Sequence, residues 1–244
     1  MTATIITEGG TNPPTTWEPH SHPAPELVWV RRGAMTTVAE GRIFTVPEGR
    51  GIWIPAHTEH SGTVTSGVTL YGTLFAPGAV TTTRFTPPNQ VTVVTMDPVL
   101  ESLLTYLGRD NLTPDARTRA EAVVFDVLEP ATNALKLPIP DDSRIVPIVT
   151  ALLDDPADQR SLEQWARELD LSERTVTRAF RTTTGMSFGA WRQTLRIQRA
   201  HGLLSEGFTV NEVARLSGYA QTSTFIDTFR KQTGTTPGSL VRIP

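Results

Sequence analysis

From Ser161 onward, apolar positions recur every three or four residues in short blocks, and the blocks come round twice in the same order. In S-L-E-Q-W-A-R-E-L-D-L-S-E-R-T-V-T-R-A-F-R-T-T-T-G, Leu162, Trp165, Ala166 and Leu169 share one helical face, which predicts a first helix with a core side. Leu171 marks a tight turn and Ser172 is a good N-cap. A second helix therefore starts there, carries Val176, Ala179 and Phe180 inward, and stops at Gly185. The plan repeats from Val210: Val213 and Ala214 face inward, Gly218 makes the turn, and a helix from about Gln221 buries Phe225 and Phe229. Between the repeats Ser187 caps a helix in which Trp191, Leu195, Leu203 and Leu204 bind the two units together. Two helix-turn-helix units on such a spacer can hold two recognition helices about 34 Å apart on one face of a duplex, one per successive major groove.

Residues 5–96 have a different texture, with short β-branched and aromatic runs between glycines and prolines. E-L-V-W-V, M-T-T-V-A, R-I-F-T-V, G-I-W-I-P, V-T-L-Y-G-T-L-F and Q-V-T-V-V-T-M read as strands at the spacing of a sandwich or small barrel. Two helices follow, opened by Asp97 with Pro98 and by Thr113 with Pro114, each an N-cap with proline at the first helical position. Leu100, Leu103, Leu104 and Leu107 form one apolar stripe, and Val123, Val127 and Leu128 another. The stretch 136–143 is short, proline-rich and acidic, as a linker would be. A helix from Arg144, with Pro147 in its first turn, leads into the first helix-turn-helix. The fold class is α+β: a β-barrel over 1–96, a helical hairpin over 97–135, a linker over 136–143, and an all-α domain with two helix-turn-helix units over 144–244.

Charge sharpens this division. From Leu171 to the end the chain carries ten Lys and Arg against four Asp and Glu, a balance of +6 within a whole-chain charge of −3, so the rest carries −9. Basic charge concentrated on the helical part is the footprint that DNA binding requires. Absence of cysteine removes disulfides, thiolate zinc sites and cysteine nucleophiles together. No apolar run approaches the roughly 20 residues of a membrane span, and the N-terminus has no basic region followed by a hydrophobic core, so a cytoplasmic protein without membrane contact is expected.

With R-I-Q-R-A-H-G-L-L, V-A-R-L-S-G-Y and F-R-K-Q-T-G-T-T-P-G-S-L in order after the first unit, the last third of the chain resembles the AraC-type transcriptional regulator family. The resemblance implies double-stranded DNA as partner, with RNA polymerase as a second partner if the output is activation. On the first recognition helix Arg174, Thr177 and Arg178 are the base-reading candidates, and on the second Thr222, Ser223 and Asp227. Phosphate candidates are Arg181, Arg192, Arg196, Arg199, Arg230 and Lys231, although Arg196 and Arg199 sit where they could instead brace the two units. Asp227 stands where the family usually carries a basic residue; it either accepts from a cytosine amino group or turns to Arg230 or Lys231.

In H-S-H-P-A-P-E-L-V-W-V-R-R-G, His20, His22 and Glu26 share strand parity, and G-R-G-I-W-I-P-A-H-T-E-H brings His60 five residues after Pro55. The pair of segments resembles the two motifs of the cupin fold, which implies His20, His22, Glu26 and His60 as metal ligands. His57 stands where that family usually has glycine and Val64 where asparagine is common; His57 either joins the site or occupies a turn. Three imidazoles and a carboxylate suit one divalent transition metal such as zinc, nickel, iron or manganese. The same barrel could instead hold a small organic effector, with Trp17, Trp29, Trp53, Tyr71 and Phe75 lining its pocket or packing its core. A metal-dependent cupin enzyme fused to a DNA-binding domain is the alternative function. The leucine stripe of 100, 103, 104 and 107 is the candidate surface for a homodimer, packing within one subunit being the other outcome.

Overall fold

The computed structural model describes residues 5–11, 14–75 and 88–240. It divides into two compact units, Met1–Glu40 with Val46–Ala134, and Gly41–Thr45 with Leu135–Pro244.

The first unit is built on antiparallel sheets. One sheet has the order β1 (Ile5–Thr11), β8 (Val68–Leu74), β3 (Glu26–Arg32), β6 (Arg50–Ile54), β9 (Thr92–Thr95). In the other, β7 (His60–Val64) pairs on one side with β4 (Ala34–Ala39) and on the other with β2 (Thr15–His20). Strand parity gives the first sheet two dissimilar faces. Leu27, Trp29, Trp53 and Phe75 point one way, into a cluster closed by α1 (Pro98–Leu107) and α2 (Pro114–Val127) through Leu100, Leu104, Leu107, Val124 and Phe125. Trp53, Phe75 and Phe125 pack at ring separations of 5.7, 5.1 and 5.7 Å, in the range of favourable offset and edge-on contacts. Both helices carry the expected caps, with Asp97 accepting from the Leu100 amide at 2.8 Å and Thr113 from that of Ala116 at 3.2 Å.

This packing corrects one expectation. Leu100, Leu104 and Leu107 are fully buried within the unit and cannot also form a surface for a second copy, while Leu103 is half-buried at the edge of the same cluster. The helices have to cover the aromatic face of the first sheet, and the leucine stripe does it.

Among the described residues the second unit holds six α-helices: α3 (Val146–Asp154), α4 (Leu162–Glu168), α5 (Glu173–Thr184), α6 (Phe188–Ser205), α7 (Val210–Leu216) and α8 (Thr222–Thr233). Ser161 and Thr209 form capping boxes with Gln164 and Glu212, and Gly185 and Gly234 end α5 and α8 in the left-handed conformation, at φ 74° and 80°. One core gathers Trp165, Val176, Phe180, Phe188 and Trp191 around the first helix-turn-helix, and another gathers Ile197, Leu203, Leu204, Val213, Phe225 and Phe229 around the second.

The unit is not purely helical. β5 (Arg42–Pro47) and β10 (Leu135–Pro138) form an antiparallel ribbon in which Ile43 faces Leu137 and Thr45 faces Leu135. The stretch 136–143 thus begins in a strand, because Leu135 and Leu137 alternate into the core and the first proline falls at the strand's last position.

Candidate DNA-reading surface and ligand cavity

In the second unit α5 and α8, the two candidate reading helices, start from matching turns. Leu171 N–H donates to the Ala166 carbonyl at 2.8 Å and Tyr219 N–H to that of Ala214 at 2.9 Å. Asp170 and Gly218 occupy the same left-handed position in these turns, at φ 53° and 78°. A Cβ on Gly218 would lie 2.9 Å from Ala157 Cα and from the Arg196 guanidinium, so glycine is required there.

With Val176, Ala179 and Phe180 inward, α5 leaves Arg174, Arg178 and Arg181 exposed and Thr177 half-exposed. On α8, Phe225, Thr228 and Phe229 turn inward and leave Ser223, Asp227, Arg230 and Lys231 exposed, with Thr222 half-exposed. Among the described residues Asp227 makes no ion pair with Arg230 or Lys231, so its carboxylate remains on the exposed face of α8.

The central helix separates its arginines by depth. Arg196 is buried and donates to three carbonyls, Pro156 and Asp158 at 2.8 Å each and Gly218 at 3.1 Å. It therefore braces the chain before α4 to the turn of the second helix-turn-helix, and it is not available to phosphate. Arg192 is half-buried, donates to the Arg160 carbonyl at 2.8 Å and lies 4.9 Å from the Phe188 ring centre. Burial pushes both guanidinium groups below their ordinary values. Arg199 is exposed.

In the first unit a cavity of about 300 Å³ lies between the two sheets. β2 and β7 bring Trp17, His20, His60, Ser61 and Gly62 to it, β4 brings Met35 and Thr37, and the first sheet brings Glu26, Val28, Ile54, Leu70, Gly72 and Leu74. Of the five aromatic pocket candidates only Trp17 lines it. Trp29, Trp53, Tyr71 and Phe75 have the opposite parity and belong to the helix-covered face, where Trp29 stacks on Tyr71 at 4.3 Å. The aliphatic lining escaped the sequence reading; the usable signal was parity with Glu26, which selects Val28 on the same strand.

Of the four expected ligand residues, His20, Glu26 and His60 line this cavity, and His22 lies against Glu26 and His60. His20 pairs across the strands with His60, their rings 4.4 Å apart. His22 Nε2 is 3.1 Å and His60 Nε2 3.7 Å from the same Glu26 oxygen, and these three side chains offer donor atoms within 4.8 Å of one another. His20 is exposed at the rim and is not one of that set. His57 is exposed in a turn at φ 61°, its amide donating to the His22 carbonyl at 2.8 Å.

Each imidazole spends its Nδ1 on a backbone carbonyl two residues away: His20 on Glu18 at 2.7 Å, His22 on Ala24 at 2.5 Å, His60 on Thr58 at 2.9 Å. A carbonyl only accepts, so Nδ1 carries the hydrogen and a neutral ring keeps its lone pair on Nε2. At His22 and His60 that lone pair meets a carboxylate, which is repulsive unless a proton or a cation lies between. Burial alone would raise the Glu26 carboxyl, but the His60 and His22 imidazoles beside it bring it below the ordinary range. Burial likewise opposes charge on His60, and the Glu26 carboxylate beside it raises it.

A paired helix-turn-helix unit with an exposed basic face, in one chain with a barrel that has its own cavity, defines a DNA-binding regulator that carries a ligand-binding module. The helix-turn-helix domain model matches residues 165–243 and the AraC-like ligand binding domain model residues 6–122. The transcriptional regulator NimR of Escherichia coli strain K12 is 32% identical over 226 residues, covering 91% of this chain and 81% of that protein. RipA of Corynebacterium glutamicum is 30% identical over 217 residues, covering 87% of this chain and 60% of the longer relative. Among solved structures, ToxT from Vibrio cholerae aligns over 98% of this chain and 97% of that one at 13% identity and a TM-score of 0.40. The chain belongs to the AraC family of transcriptional regulators. These relatives are named as regulators, and the reading of the barrel as a metal-dependent enzyme finds no support among them.

Proposed function

We propose that this regulator's hold on duplex DNA is set by a ligand taken into the cavity between the sheets of the first unit, with a divalent metal at its polar end. The observation that carries this reading is the convergence of His22, Glu26 and His60 beside a cavity otherwise walled by Val28, Met35, Ile54, Leu70 and Leu74. The donor set fits the ion: two imidazoles with Nδ1 fixed by carbonyls and Nε2 turned to a shared carboxylate are the arrangement that metal-binding histidines need. His22, Glu26 and His60 would hold zinc, nickel, iron or manganese, with His20 beside His60 as a further donor. When bound, such an ion supplies a Lewis-acid contact for one donor atom of the effector. The aliphatic walls exclude water from the rest of that molecule and select an apolar body.

On DNA, Arg174, Thr177 and Arg178 read base edges from α5, with arginine suited to guanine O6 and N7. Thr222, Ser223 and Asp227 do so from α8, where the carboxylate favours a cytosine amino group. Arg181, Arg199, Arg230 and Lys231 contact phosphates. The regulator works in the cytoplasm as a homodimer, and with RNA polymerase where it activates; among the described residues no helix is long and apolar enough to cross a membrane. Val99 and Val123, the exposed apolar positions of α1 and α2, are the places to test dimerisation. If this is the dimer surface, glutamate at both yields a monomer by sedimentation; a chain that still pairs refutes it.

The test of ligand control combines metal analysis with binding to duplexes selected from a random pool. The proposal expects near-stoichiometric metal in the wild type, its loss in His22→Ala, and a changed duplex affinity on chelation. Metal-free wild-type protein that contains an organic molecule, displaced by the cavity-filling Gly72→Val, would favour the apolar effector without a metal. Affinity unmoved by chelation and by Gly72→Val would overturn ligand control altogether.

A further inference from the structure

Gly41–Thr45 comes from the N-terminal half of the sequence yet packs as part of the DNA-reading unit. Its Ile43, with Leu137 of β10, enters the core of the first helix-turn-helix, while Leu135 of the same ribbon enters the core of the second. The ribbon is also tied to the spacer helix α6. Gln198, buried in that helix, donates its amide to the Ile43 carbonyl at 3.0 Å and to the Leu135 carbonyl at 3.4 Å, and Trp191 Nε1 donates to the Pro138 carbonyl at 2.7 Å.

One detail separates Gln198 from ordinary packing. Its Oε1 is buried with no hydrogen-bond partner, a cost that an apolar side chain of the same size would avoid. What the amide gains in return is a bond to both strands at once. Arg196, two residues earlier on α6 and so on its opposite face, locks the other side of the spacer to the Gly218 turn.

From these contacts we infer that the β5–β10 ribbon, held by Gln198, is a positioning element for DNA recognition: it fixes the two reading helices relative to each other. The peptide bonds after Glu40 and Thr45 join the Gly41–Thr45 segment at both ends to the ligand-binding unit, so the segment that sets the reading helices is the one that unit's chain can pull on.

The chain has no cysteine, so a spin-label pair can be placed cleanly at Thr182→Cys on α5 and Thr224→Cys on α8, both exposed positions. Pulsed dipolar spectroscopy on the full chain then reads the distribution of distances between the helices. In Gln198→Met the distribution broadens, and in the unlabelled protein affinity for a duplex carrying two recognition elements falls by about tenfold, the factor carried by about 1.4 kcal/mol of lost preorganisation. Affinity for a duplex with one element stays as in the wild type. Ile43→Val, which trims a single methyl group, is the second variant and gives the same pattern more weakly. An unchanged distribution with unchanged two-element affinity contradicts the inference. So does equal loss on one-element and two-element duplexes in both variants, since the ribbon would then be only a part of the fold.

Discussion

Arg178 and Arg196 show how one residue type divides between an exposed face and a buried brace. Arg178 is exposed on α5, and Arg178→Ala is expected to cost about 1–3 kcal/mol on a selected duplex and to relax preference at one base position, measured by anisotropy across single-base variants. Arg199→Ala is expected instead to weaken all duplexes alike and to lower the slope of log affinity against log salt by about one. Arg196→Ala takes its donor from the Pro156 and Asp158 carbonyls and leaves Gly218 with Gln159 alone, so its effect appears in unfolding, by several kcal/mol, before any effect on salt dependence can be read. His201 adds a pH effect. Burial alone lowers it from 6.5 to about 4, with its Nε2 lacking a partner. The unfolded chain therefore binds a proton that the folded chain refuses between those values, and stability is lost as pH falls from 6.5 toward 4. About 2 kcal/mol is expected to be gone by pH 5, seen as a lower urea midpoint for the DNA-reading unit, and His201→Leu should flatten that dependence.

The matching turns before α5 and α8 carry the clearest prediction at the level of the elements. Gly218→Ala meets backbone at 2.9 Å and a strained φ, so it is expected to destabilise the second helix-turn-helix by more than about 1 kcal/mol. Asp170→Gly relieves a left-handed residue at the equivalent point and leaves stability near or above the wild type, both changes being read as denaturant midpoints. The helices were legible because caps and stops are local: Asp97, Thr113, Ser172, Ser187 and Gly185 all act within one turn of where they stand. The strands were less so. β2 holds Pro19 and β7 opens on His60, Ser61 and Gly62, compositions that resemble loops and are made strands only by pairing with each other and with β4. β10 failed for the same reason, since two leucines between prolines say nothing about a partner more than ninety residues earlier in the chain. Strand parity did not group the ligand residues, since β2 ends at His20, His22 lies in the connection and Glu26 opens β3 in the other sheet; the resemblance of the two segments named them, and choosing which aromatic residues face the cavity needed the register between strands.

Over the whole molecule, charge and cores agree on a division of labour. The surplus of +6 from Leu171 onward lies on the unit that carries α5 and α8, while the convergent imidazoles and carboxylate lie in the other unit. Duplex binding is therefore expected to weaken steeply with salt, whereas metal or effector binding to the cavity should not. The division also explains why the sequence named the function class and not the signal. Helix-turn-helix spacing is written in consecutive residues, but a cavity is assembled from six strands and shows its shape only once they pair. The most direct measurement of the central claim is a hydroxyl-radical footprint of the full chain on a duplex selected from a random pool. Two protected segments on one face of the duplex, about one helical turn or 34 Å apart, are the predicted result. A single protected segment, or protection without sequence preference, would contradict the account.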